Sequence, residues 1–94
     1  MDAESASELL QEKAKTRDEE IIQIKASYDT QIELLKQKAA KCTGADKAEL
    51  EKQIANLEED RQKKIDIQNN LYEEYMDIIK EKNPNLVDLI DKYN

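Results

Sequence analysis

The sequence predicts an all-α fold: an antiparallel two-helix coiled-coil hairpin with a short C-terminal helix. Composition is the first indication, because the 94 residues include one Gly, one Pro and no Trp or Phe, while 39% are charged. Turn and strand formers are therefore scarce, and helix formers such as Glu, Lys, Leu and Ala are abundant. High charge and low hydropathy also occur in disordered chains, but a disordered chain needs no regular apolar period.

The second indication is a mirror-image spacing of apolar residues about Gly44. On both sides of this glycine they recur every three or four positions, and positions whose numbers sum to 89 correspond, as for Leu10 with Ile79 and Ile32 with Leu57. Two helices folded back antiparallel about a turn near residues 43–46 would bring these positions face to face along one seam.

The same register predicts two cation–π contacts across the seam. It places Arg17 opposite Tyr72 and Tyr28 opposite Arg61, and an arginine over a tyrosine ring contributes about 0.5–2 kcal/mol. The alternative is that both arginines extend their charged ends into solvent from a polar layer of the seam.

Capping signals give the element boundaries and the third indication. Thr43-Gly44 suits a helix C-terminus, and Asn83-Pro84 ends a helix because the residue before proline avoids helical geometry. We predict helix 1 over about 6–43, helix 2 over about 47–82 and a short helix over about 86–93, all in a single helical domain, 1–94. Each start has a capping residue three positions before a carboxylate: Ser5 with Glu8, Asp46 with Glu49, and Asn85 with Asp88.

A parallel coiled coil over 6–82 is the architectural alternative. One glycine inside a continuous helix costs only about 1 kcal/mol relative to alanine. The stop signal and the cap that meet at Gly44 favour the hairpin instead.

Several apolar residues lie off the predicted seam, mostly in the half of the hairpin farthest from the turn. Leu34 is the apolar residue off the seam that lies near the turn. An apolar band bordered by charge usually marks a packing surface, and we predict that it assembles hairpins into a helical bundle. The candidate partner or oligomer interface comprises Leu9, Ile22, Ile67, Leu71, Met76 and Ile78 of the long helices and Leu86, Leu89, Ile90 and Tyr93 of the C-terminal segment.

The C-terminal segment has two candidate docking places. Its four interface residues share one face at helical spacing, and two turns of helix do not persist without docking. The segment either folds back on its own hairpin or inserts in a groove of a partner protein.

Charge and composition exclude several partners. A net charge of −7 opposes binding to nucleic acid or to anionic membranes, and no apolar run approaches the ~20 residues of a membrane span. One cysteine fits a reducing compartment, so we expect a cytoplasmic location.

The residues that catalysis and metal binding require are largely missing. There is no His, and a single Gly cannot form a phosphate-binding loop. Cys42 lacks a histidine partner, so a small apolar side chain is its expected role. Consecutive acidic side chains point in different directions around a helix, so they do not converge on one metal ion. We expect no enzyme activity and no cofactor or metal.

Two functions follow as hypotheses. The first is a non-catalytic structural or adaptor protein, a protein–protein interaction module that self-associates as a homo-oligomer, with a dimer favoured. The second is a dedicated chaperone or regulatory subunit that holds a client or partner helix in a hetero-complex. A helical hairpin is compatible with both functions, so the predicted fold does not distinguish between them.

Overall fold

The computed structural model describes residues 2–84, which form two packed α-helices and contain no strand. Helix α1 spans Ala3–Ala40 and helix α2 spans Gly44–Lys82. The prediction of an all-α fold is therefore confirmed. The predicted helix over 86–93 lies outside the described residues. None of the helical segments within 2–84 combines the length and the apolar character that crossing a membrane requires.

Helix α1 begins three residues earlier than predicted, because Asp2 caps it. The Ser5 amide donates to the Asp2 carboxylate at 2.7 Å, and the Ala6 amide donates to the Asp2 carbonyl at 3.0 Å. The prediction that Ser5 is the cap was wrong, since the Asp2 carboxylate accepts from the Ser5 amide and also interacts favourably with the positive end of the helix dipole. Hydrogen bonding by Ser5 lowers the pKa of Asp2 below its ordinary value.

The chain turns between Ala40 and Gly44, so a continuous helix over 6–82 is wrong. The amides of Lys41 and Cys42 donate to the carbonyls of Lys38 and Ala39, each at 3.1 Å, and this tighter bonding ends α1. Gly44 has a φ of 63°, a left-handed conformation that glycine adopts at little cost. It is the first residue of α2, which starts three residues before the predicted position.

Helix α2 ends at Lys82, as the sequence predicts. The Asn83 amide donates to the Ile79 carbonyl at 3.0 Å, and the Asn83 side-chain amide donates to the same oxygen at 3.0 Å. Asn83 thereby satisfies a carbonyl that the missing next turn leaves free, and Pro84 follows.

The two helices form two compact units. The terminal unit comprises, among the described residues, 2–20 and 68–84, and the turn unit comprises Ile21–Ile67. The core of the terminal unit is Ala6, Leu10 and Ile79, with Ala3, Leu9, Tyr75 and Met76 packed against it. The core of the turn unit is Tyr28, Ile32 and Ile54, with Ile24, Leu35 and Leu57 packed against it.

Within each unit the helices run antiparallel in the predicted register. Leu10 packs with Ile79 in the terminal unit, and Ile32 packs with Ile54 and Leu57 in the turn unit. The predicted seam pairs are all buried or half-buried: Leu10 with Ile79, Ile32 with Leu57, Arg17 with Tyr72, and Tyr28 with Arg61. Burial of apolar side chains contributes about 25 cal/mol per Å², so the buried seam residues of each unit stabilise the packing of its two helices.

Candidate functional site

The terminal unit carries a groove of about 350 Å³ between its two helices. Helix α1 contributes the polar side chains of Lys13, Thr16 and Arg17. Helix α2 contributes a mostly apolar and aromatic wall, formed by Gln68, Leu71, Tyr72 and Tyr75. The groove follows from the seam itself: large tyrosines on α2 face shorter or flexible side chains on α1, which leaves a hollow beside them.

Two cations lie over the two tyrosine rings of this groove. The guanidinium carbon of Arg17 is 4.4 Å from the centroid of the Tyr72 ring, and Nζ of Lys13 is 5.3 Å from the centroid of the Tyr75 ring. The predicted contact of Arg17 with Tyr72 is therefore confirmed. The Asp18 carboxylate also accepts from Nε and Nη2 of Arg17, at 3.2 and 3.1 Å, and orients the guanidinium.

Among the described residues of the terminal unit, the large exposed apolar side chains are Leu71 and Ile78. They are 55% and 51% exposed, respectively. They are seven positions apart on α2, so they lie on the same side of the helix two turns apart. Because Leu71 also lines the groove, this side of α2 joins an aromatic hollow to an apolar ridge. We call Leu71, Ile78 and the groove the terminal face.

The other predicted interface residues fall into three groups. Leu9 and Met76 are half-buried and pack against the core of the terminal unit. Ile22 and Ile67 belong to the turn unit, where they are 65% and 53% exposed, and Leu34 of the same unit is 55% exposed. The C-terminal members lie outside the described residues: Leu86, Leu89, Ile90 and Tyr93.

In the turn unit the predicted contact of Tyr28 with Arg61 was wrong. Nζ of Lys64 lies 4.9 Å from the centroid of the Tyr28 ring, and Arg61 forms an ion pair with Asp29 across the helices. A carboxylate one residue beyond the seam competes successfully for the guanidinium, because opposite full charges attract more strongly than a ring quadrupole does. Hydrogen bonding with Tyr28 is the main cause that raises the pKa of Lys64.

Sequence reasoning missed the burial at the N-terminus of α1. Ala6 is 0% exposed and Ser7 is 6% exposed, although neither residue was predicted to lie on the seam. Extending the mirrored register outward by one step, which pairs Ala6 with Asn83, would have placed Ala6 on the seam. Ser7 is one residue off that seam, and no signal in the spacing predicts its burial.

Few of the described side chains are arranged for metal binding or catalysis. Among residues 2–84 no group of three His, Cys, Asp or Glu side chains is placed to hold a metal ion. Cys42 is a half-buried free thiol next to the turn. The terminal face combines an apolar ridge, two aromatic rings and two cations.

Proteins of known family or structure give no guide to the role of this face. Comparison of the chain with protein-family models, with curated proteins and with solved structures found no match.

Proposed function

We propose that this protein is a non-catalytic protein–protein interaction module that self-associates through its terminal face. The observation that carries the proposal is the exposure of Leu71 and Ile78, at 55% and 51%, on one side of α2 beside the aromatic groove. Large apolar side chains clustered in this way and bordered by charge are typical of packing surfaces.

The small core of the hairpin supports a second copy as the occupant. Its two described core clusters contain three buried side chains each. Pairs of helices with one narrow seam bury too little apolar area to offset the entropy lost on ordering. Pairing two hairpins gives each α2 a second apolar contact, which is the arrangement of a four-helix bundle.

The charges of the terminal face support pairing with an identical copy. Glu74 is exposed and lies between Leu71 and Ile78 along the same side of α2, and Lys13 borders the groove. An interface with twofold symmetry applies the same patch twice, so Lys13 of one copy and Glu74 of the other form a self-complementary pattern. A dimer is the smallest assembly that satisfies it.

Mass measurement tests the proposal directly. Sedimentation equilibrium of the wild type in reductant, over a range of concentrations, should return a dimer mass. The double variant Leu71→Glu/Ile78→Glu should return the monomer mass, because two charges would be buried at the interface. The matched control is Leu34→Glu, which changes a side chain of equal exposure in the turn unit and should remain dimeric. Equal masses for both variants would contradict the proposal.

The alternative function is a dedicated chaperone or regulatory subunit that holds a partner helix. The pairing of cations with aromatic rings in the groove favours it, because Lys13 and Arg17 suit an acidic amphipathic helix. Thermal melting separates the two functions. A sharp transition whose midpoint rises with protein concentration indicates self-association, whereas a broad transition that sharpens only with added partner indicates the hetero-complex.

A further inference from the structure

The groove side of α1 carries three side chains in a row at helical spacing. Lys13 and Thr16 line the groove, and Leu9 lies seven positions before Thr16, so all three lie on the same side of α1. Lys13 and Thr16 are exposed, whereas Leu9 is half-buried. We call Leu9, Lys13 and Thr16 the α1 row.

Helix α2 carries a matching row on the same side of the terminal unit. Leu71 lines the groove, and Glu74 and Ile78 follow it at spacings of three and four positions. We call Leu71, Glu74 and Ile78 the α2 row. Each row covers two helical turns and has a charged residue in its middle, which is a cation in the α1 row and a carboxylate in the α2 row.

The contacts of the terminal unit show that the two rows occupy the same levels along the helices. Nζ of Lys13 lies 5.3 Å from the centroid of the Tyr75 ring, and Tyr75 directly follows Glu74. The central charges of the two rows are therefore at neighbouring levels. Because the helices run in opposite directions, the outer members correspond in the same way: Leu9 with Ile78, and Thr16 with Leu71.

We propose that the α1 row of one copy packs on the α2 row of a second copy, and the reverse, about a twofold axis that runs along the helices. This inference rests on the self-association proposed above and specifies its geometry. Rotation about such an axis leaves every residue at its own level, so each row meets the other row in matching order. The contacts between copies are Lys13 with Glu74, Leu9 with Ile78, and Thr16 with Leu71.

The charges of the two rows favour this arrangement over one in which α2 packs on α2 of the second copy. With α2 on α2, in either direction, Lys13 lies on the neighbouring helix, about 10 Å from Glu74 of the second copy. The proposed arrangement instead contains two Lys13–Glu74 pairs. Its neighbouring helices alternate in direction, as they do in up-down-up-down four-helix bundles.

The same arrangement covers the apolar side chains that the single chain exposes. Leu71 and Ile78 are 55% and 51% exposed. Ile78 packs on Leu9 of the second copy, and Leu71 packs on the methyl group of Thr16 of the second copy. Because Thr16 and Leu71 both line the groove, each copy closes the groove of the other and removes apolar surface from water on both sides.

Exchange of the two central charges tests the pairing. Lys13→Glu and Glu74→Lys each bring like charges together twice in a homodimer, so each variant should self-associate about tenfold more weakly than the wild type at low salt. An equimolar mixture restores both pairs between unlike chains, so the heterodimer should form about tenfold more tightly than either homodimer. A contact within one chain cannot produce this preference.

Glu73→Lys is the matched control for the charge exchange. Glu73 is exposed, carries the same charge as Glu74 and points about 100° away from it around α2. Mixed with Lys13→Glu, this variant should show no preference for the heterodimer. Circular dichroism of each variant shows whether the helices are retained.

Disulfide formation tests which helices are neighbours. In a Cys42→Ser background, chains with Lys13→Cys and chains with Glu74→Cys should cross-link to each other on mild oxidation, because a disulfide requires Cα atoms within about 7 Å. Neither chain should cross-link to itself, because like helices are not neighbours in the proposed bundle. Mass spectrometry of the mixture identifies the linked chains, and Glu73→Cys replaces Glu74→Cys in the control.

The outcomes separate this pairing from self-association itself. A wild-type dimer whose charge-exchanged variants show no preference for the heterodimer, or whose Glu74→Cys chains cross-link to one another, overturns the pairing and leaves self-association standing. A monomeric wild type overturns both proposals.

Discussion

The guanidinium carbon of Arg17 lies 4.4 Å from the centroid of the Tyr72 ring across the seam of the terminal unit. Asp18 accepts two hydrogen bonds from the same guanidinium, and the Arg17 side chain is 27% exposed. The arrangement allows a charged residue to occupy the seam without an unpaired buried charge. It also fixes the helices in register, because a shift of either helix by one residue would separate the cation from the ring.

This contact predicts a measurable coupling between Arg17 and Tyr72. In a double-mutant cycle with Arg17→Met and Tyr72→Leu, the coupling free energy should be about 0.5–1 kcal/mol, the usual range for a partly exposed cation–π pair. Urea unfolding followed by circular dichroism measures it. Additive effects of the two substitutions would show that the stacking does not stabilise the fold.

Sequence spacing predicts the seam well because burial of apolar side chains dominates both units. Leu10, Ile32 and Ile79 are buried as the mirrored register requires. The contacts of polar side chains are harder to predict. Arg61 could reach either Tyr28 or Asp29, and differences of a few ångström in side-chain position decide which of the two it contacts. The terminal face was predictable as a surplus of apolar residues, whereas its groove depends on the shapes of facing side chains.

The ion pair between Asp29 and Arg61 should contribute little and depend on salt. The two side chains are 56% and 29% exposed, and exposed pairs contribute about 0–1 kcal/mol. Arg61→Glu should lower the free energy of unfolding by about 1 kcal/mol at low salt, through repulsion from Asp29. Adding Asp29→Lys should recover part of this loss, and the recovery should shrink in 1 M NaCl. Lack of any recovery would contradict a direct pair.

The core of the turn unit predicts a large contrast between two neighbouring apolar residues. Ile32 is 4% exposed and Leu34 is 55% exposed. Ile32→Ala should cost about 2–5 kcal/mol because it leaves a cavity in the seam. Leu34→Ala should change stability by less than about 0.5 kcal/mol, as for other surface substitutions. Urea unfolding of the two variants checks this, and similar losses would place the seam elsewhere on α1.

The cap at Asp2 predicts a titration that the Ser5 amide reports. Hydrogen bonding from Ser5 lowers the pKa of Asp2 below the ordinary 3.8. A carboxyl whose pKa is lower in the folded state stabilises the fold above its unfolded pKa, and this contribution disappears as the pH falls through the folded pKa. The amide proton shift of Ser5, followed by NMR, should therefore titrate with a midpoint below 3.8.

Asp2→Asn is the control for this titration. Asparagine caps helices about as well as aspartate but carries no titratable group. The Ser5 amide shift should keep its neutral-pH hydrogen bond in this variant and lose the acidic transition. A midpoint at or above 3.8 in the wild type, or an unchanged transition in Asp2→Asn, would show that Asp2 is not the acceptor.

At the turn we predict that Gly44 is required because of its backbone conformation, and not because a side chain at this position would clash with its neighbours. A Cβ built at Gly44 would meet nothing within 4 Å, yet its φ of 63° is one that residues with a side chain rarely adopt. Gly44→Ala should therefore destabilise the hairpin by about 1–2 kcal/mol, the cost of a left-handed residue with a Cβ. Gly44→Asn should cost less, because asparagine visits this conformation more readily. Equal losses for Ala and Asn would indicate a steric or sequence-specific role, and a gain in stability with Ala would mean that the chain turns by another backbone path.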